Sequence, residues 1–139
     1  MGTRRSSRTL ALDVLYEREV SSAPAGEILK RYENNPGYEF AAVLVNGVLD
    51  NLTEVDALIA GHARDWSPER MPLVDRSLLR VAVFEILKLD DVPAAVSINE
   101  AVQLAKDYST EDSSRFVNGL LSAVLAGLEK DRTEVEPPV

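Results

Sequence analysis

Residues 73–89 constrain the fold more than any other stretch of the chain. Val74, Leu78, Leu79, Val81, Ala82, Val83, Phe84, Ile86 and Leu87 fall nearly all round a helical wheel. A helix without a continuous polar face has to be covered on every side. At ~1.5 Å per residue it is about 25 Å long, the diameter of a small domain. Pro72 stands before it, and Asp90-Asp91-Val92-Pro93 closes it, because the residue before a proline disfavours helical geometry. The rest of the chain must supply the cover. It must do so with helices, since no stretch shows the sustained alternation and hairpin turns of strands.

The covering helices can be read in order. Residues 6–20 form a charge-segregated helix. Leu10, Ala11 and Val14 lie on one face, Arg4, Arg5, Arg8, Leu12 and Tyr16 on another, and Asp13 and Glu17 apart from both. Pro24 marks a break, and a short helix follows over 25–32. Asn34-Asn35-Pro36-Gly37 is the clearest loop. Residues 38–51 carry Phe40, Val43, Leu44, Gly47 and Val48 at helical spacing, and Thr53 is placed to cap a helix over 54–64. Ser67-Pro68-Glu69-Arg70 reads as a further helix start. Ser97-Ile98-Asn99-Glu100 reads as a capping box, opening a helix that buries Ile98, Ala101, Val102, Ala105 and Tyr108. After a polar joint, residues 113–128 pack Phe116, Val117, Leu120, Leu121, Val124 and Leu128. Residues 131–139 are acidic, contain proline and read as a flexible tail beyond a helical domain of residues 1–130.

Two short echoes run through the chain. Val45-Asn46-Gly47-Val48-Leu49 resembles Val117-Asn118-Gly119-Leu120-Leu121, and Leu15-Tyr16-Glu17 resembles Val83-Phe84-Glu85. They suggest two similar helical halves. A glycine within a helix costs about 1 kcal/mol against alanine, so both Gly47 and Gly119 suggest close helix approach.

Chemistry is narrowly bounded. There are no cysteines and a single histidine, His62, which leaves no thiolate site and no imidazole cluster for zinc. No Walker loop, dinucleotide fingerprint or nucleophile elbow is present. The reading is of a protein that is not an enzyme, with no cofactor and no metal. With 139 residues, 45% hydrophobic and 27% charged, the chain can bury a core unaided. The apolar runs are too short for a membrane span, and the basic N-terminus does not lead into a signal segment; a soluble, cytoplasmic protein is expected.

The net charge of −8 argues against non-specific nucleic-acid binding. The distribution qualifies this, because residues 1–10 hold three arginines and no acid. Guanidinium groups grip phosphates and stack on bases, and Tyr16 lies further along the same side. A solvated terminus is an equal reading of these residues alone. A second cluster, Tyr108, Asp112, Ser114, Arg115 and Phe116, could present aromatics to unpaired bases or close the core at a helix joint.

Longer strings carry more. Asp91-Val92-Pro93, Ile98 to Lys106, Ser109 to Ser113 and Arg115-Phe116-Val117-Asn118-Gly119-Leu120-Leu121 resemble the signature of the NusB transcription antitermination family. Arg8 to Tyr16, Leu44 to Val48 and Val74 to Arg80 resemble it too, so the likeness runs over residues 4–126. It implies an all-α fold of two packed three-helix halves. It implies a non-catalytic factor that binds the boxA element of nascent ribosomal RNA as a heterodimer with NusE, a small-subunit ribosomal protein, and supports an antitermination complex on RNA polymerase. Carried onto this chain, the RNA-binding residues are Arg4, Arg5, Arg8, Tyr16, Tyr108, Asp112 and Phe116, with Asp75 and Arg76 facing the partner. Asp112 would repel phosphate unless it accepts from a base or ribose, which makes it a tuning position. A helical protein–protein adaptor or self-associating scaffold with little RNA binding is the alternative, and a homodimer stays open.

Overall fold

The long apolar segment becomes helix α5, Leu73–Lys88, and every residue from Ser77 to Glu85 is buried. The computed structural model describes residues 3–63 and 70–135. The helix start read at Ser67-Pro68 lies outside these residues, as do residues 136–139. Before α5 come α1 (Arg4–Ser21), α2 (Ala25–Lys30), α3 (Tyr38–Asp50) and α4 (Leu52–His62); after it come α6 (Ala94–Tyr108) and α7 (Glu111–Val135). There is no strand among the described residues.

Helices α1–α3 pack together as one half and α5–α7 as the other. Helix α5 also packs on α1 and α3, and α4 bridges α5 and α7, so the two halves share one core. Ala11, Val14, Leu44, Val45, Val48, Leu79, Val83, Ala105, Val117 and Leu121 sit at its centre. This is the all-helical, two-half architecture that the sequence implies.

Charged side chains reinforce the seams. Buried Arg80 of α5 sends Nε and Nη2 to the Asp56 carboxylate of α4, both at 2.9 Å, and Nη1 to Glu19 of α1 at 2.8 Å. Near the other end of α1, Arg8 pairs with Glu85 of α5. The rising order on α1 meets a falling order on α5, so the two helices run in opposite directions along their seam.

Several helix starts differ from the sequence reading. The capping box lies at Thr3–Ser6, where Thr3 Oγ1 accepts from Ser6 N and Ser6 Oγ accepts from Thr3 N. Helix α6 begins at Ala94, with Pro93 in extended geometry before it and no side-chain cap. Ser97 and Glu100, read as a capping box, therefore lie inside the helix and serve other partners. Thr53 likewise falls within α4, and Asn51 takes the capping position without a side-chain bond to the helix it precedes; its amide donates to Gly47 O at 2.7 Å. Helix α7 runs past Leu128 to Val135.

The echo has structural content. Val45 and Val48 in α3, and Val117 and Leu120 in α7, are buried in corresponding positions. The two glycines differ. A Cβ at Gly47 would overlap the Phe84 ring, so this glycine does admit a close approach of α3 to α5. At Gly119 there is nothing within 4 Å, which overturns the expectation of close packing there; Tyr16, the counterpart of Phe84 in the echo, is exposed instead of buried.

Candidate nucleic-acid interface

The first turn of α1 is built by its cap. The Thr3–Ser6 box and the Ser7 hydroxyl, which donates to Gly37 O at 2.9 Å and to Thr3 O at 3.1 Å, hold the helix start against the loop before α3. This fixes where Arg4, Arg5 and Arg8 point, and they part company.

Arg4 is exposed. Its guanidinium lies 4.5 Å from the Phe40 ring centroid and donates to Asp91 at 3.1 Å. Arg5 is exposed as well and forms a two-pronged pair with Glu100: Nε to Oε2 at 2.9 Å and Nη2 to Oε1 at 3.1 Å. The Arg5 hydrogen bond, opposed by burial, holds the Glu100 carboxyl below its ordinary value. Arg8 is not on the surface. Only 4% of its side chain is exposed, and Nε and Nη2 reach the Glu85 carboxylate at 2.9 and 2.6 Å. Ser97 Oγ donates to the same carboxylate at 3.0 Å. An arginine with a buried carboxylate of its own joins α1 to α5, and in this arrangement it offers no free edge to a phosphate. The wheel put Arg8 beside Arg4; the packing of α1 onto α5 turned that edge inward.

The second cluster surrounds the joint between α6 and α7. A groove of about 490 Å³ is lined by Met71, Pro72, Asp75, Ser109, Thr110, Asp112, Ser113 and Phe116. It thus brings together Asp75, expected to face the partner, and Asp112 and Phe116, expected to face RNA. Asp75 is buried; Oδ2 accepts from Ser113 Oγ at 2.8 Å, whereas Oδ1 has no hydrogen-bond partner. Asp112 is open to solvent and accepts from Arg115 at 2.7 Å. Phe116 is half-buried and packs against the core, so one aromatic of the pair closes the joint. Tyr108 is exposed at the end of α6, not on its buried face as the spacing predicts. Tyr16 is exposed on α1. Arg76 lies on α5 with a buried Nε that has no hydrogen-bond partner, and its charge acts on Glu19.

Phe40, Asp91 and Glu100 belong to this surface and were missed. Phe40 carries an apolar signal suited to any core position. Asp91 reads as a helix-end acid and Glu100 as half of a cap. Only the fold shows that all three attend the arginines.

Comparison with known proteins agrees with this architecture. The NusB family profile matches residues 5–126. The transcription antitermination protein NusB of Pelotomaculum thermopropionicum is 41% identical over 135 residues, covering 94% of each chain. Among solved structures, T. maritima NusB superposes with a TM-score of 0.82 at 33% identity, covering 90% of this chain and 92% of that one. A chain of the crystal structure of antitermination factors NusB and NusE in complex with dsRNA superposes with a TM-score of 0.78 at 31% identity, covering 89% and 96%. With sequence and fold matched over nearly their whole length, the chain belongs to the NusB family of transcription antitermination proteins.

Proposed function

We propose that this protein binds the boxA element of nascent ribosomal RNA as a heterodimer with NusE and helps to assemble the antitermination complex on RNA polymerase, without catalysing a reaction. The observation that carries the reading is its likeness, over nearly the whole chain, to a protein whose structure is a complex with NusE and double-stranded RNA. The surface chemistry supports it. Arg4 and Arg5 are exposed cations on a capped helix turn. The groove between α5 and the α6–α7 joint combines apolar walls with carboxylates, which suits a basic partner or a base amino group. Tyr108 and Tyr16 offer exposed rings for stacking.

A net charge of −8 fits a chain that binds RNA weakly alone and gains affinity from a basic partner. Among the described residues no helix is long and apolar enough to cross a membrane. The proposed action on transcripts implies a cytoplasmic protein.

One observation favours the adaptor reading: Arg4 and Arg5 already have carboxylate partners. The test separates the two. Arg4→Ala with Arg5→Ala should lower boxA affinity at least tenfold while NusE binding, followed by calorimetry, stays unchanged. RNA binding that survives this pair of substitutions would remove the arginines from the RNA surface, and a wild-type protein that binds NusE but not boxA RNA would favour the adaptor. Arg8 is left out of the test because its loss would disturb the core.

A further inference from the structure

The two exposed arginines are held differently. Arg4 meets Asp91 through one nitrogen, with both side chains more than half exposed, and such a pair contributes little. Arg5 meets Glu100 through two parallel bonds. The exposure is lopsided: 63% for the Arg5 side chain and 18% for that of Glu100. The carboxylate is therefore set into the α6 framework, and the guanidinium is the part that can leave.

The edge of Arg5 that Glu100 occupies, Nε and Nη2, is one that can grip two phosphate oxygens. A phosphate approaching Arg5 must either displace Glu100, leaving a half-buried carboxylate unpaired, or take the other edge and lie close to that carboxylate. Asp107 also acts on Arg5 through its charge and adds to the negative field that an incoming phosphate would meet. Both routes lower affinity for RNA that offers nothing beyond a phosphate.

We propose that Glu100 is an affinity-setting residue of the RNA surface, competing with RNA phosphate for the Arg5 guanidinium. The proposal rests on the reading that Arg5 meets RNA. Its consequence is selectivity: a backbone contact alone is weakened, and RNA that makes further contacts to bases or to the partner can displace the carboxylate.

The test is a filter-binding titration of a boxA-type RNA against the full chain over a range of salt, with five proteins: wild type, Glu100→Gln, Glu100→Ala, Arg5→Ala and the double variant Arg5→Ala with Glu100→Gln. Gln keeps the shape and one acceptor but loses the charge. Glu100→Gln should tighten binding by about two- to fivefold and steepen the salt dependence of log K by up to about 0.7. Glu100→Ala should move affinity in the same direction. In the Arg5→Ala background, Glu100→Gln should change nothing. Unchanged binding by Glu100→Gln would overturn the proposal, and weaker binding would overturn it by showing that the carboxylate orients Arg5 for RNA. An equal gain in the Arg5→Ala background would overturn it too, reducing the effect to bulk charge. If Arg5→Ala alone binds RNA as wild type does, the reading of Arg5 as an RNA contact fails first, and the proposal with it.

Discussion

Replacing Arg8 by alanine leaves the Glu85 carboxylate buried with only the Ser97 hydroxyl to answer it. Both side chains are at most 4% exposed, so solvent cannot take over the charge. Removing one partner of such a pair costs about 3–5 kcal/mol, and urea denaturation of Arg8→Ala should show a loss of that size. Arg8→Met with Glu85→Leu should lose less, because no charge is stranded. A loss under 1 kcal/mol in Arg8→Ala would contradict the burial. At this scale the sequence was only partly legible. Arg4, Arg5 and Arg8 are chemically identical and share one end of a helix. What separates them is the partner each one meets, and Glu85 is 77 residues from Arg8. Nothing local encodes that choice. Arg80, which joins three helices, was hidden for the same reason.

The elements were more legible, because periodicity is local. The buried central helix was plain from its apolar wheel, and α1, α3, α6 and α7 followed from their own spacing. Boundaries failed where one motif had two physical readings. Ser97 and Glu100 satisfy the capping pattern, but Pro93 supplies the fixed φ that starts α6 a turn earlier. The two glycines give the sharpest test at this scale. Gly47→Ala would press a methyl group into the Phe84 ring and should destabilise the protein by about 1–3 kcal/mol. Gly119→Ala points a methyl group into open space and should stabilise α7 by about 0.5–1 kcal/mol. Thermal unfolding of the two variants should therefore shift Tm in opposite directions. A rise in Tm for both would mean that the α3–α5 contact is not as close as described, and a fall for both that Gly119 is not open.

Across the whole molecule, charge does two separable things. Inside, it staples the helices. Burial pushes the Glu19 carboxyl up, but the hydrogen bond and charge of Arg80, with Arg76 and Arg18 behind them, outweigh burial and hold it below the ordinary 4.5. A carboxyl lowered in the folded state contributes stability above its unfolded pKa and loses it as pH falls through the folded value. Glu19→Gln should therefore be less stable than wild type at pH 7, and the gap should close in acid, below the ordinary carboxyl range. A gap independent of pH would show that Glu19 acts through packing and not charge. Outside, the net charge of −8 predicts weak binding of RNA at large, with the exposed Arg4 and Arg5 proposed as a local exception within a Debye length of about 8 Å. The overall charge was readable at once from composition. Its meaning was not, because the arginine face, the groove with Asp75, Asp112 and Phe116, and the carboxylates set against the arginines all arise from contacts between distant segments.

That division of labour, in which the chain supplies a sparse RNA surface and a partner supplies the rest, is the central claim. The most direct measurement is a gel-shift titration of one boxA-type RNA with this protein alone and in the presence of saturating NusE, at fixed physiological salt. The account predicts weak binding alone and a gain of at least tenfold with NusE. Equal affinity with and without NusE, or no RNA binding in either state, would contradict it.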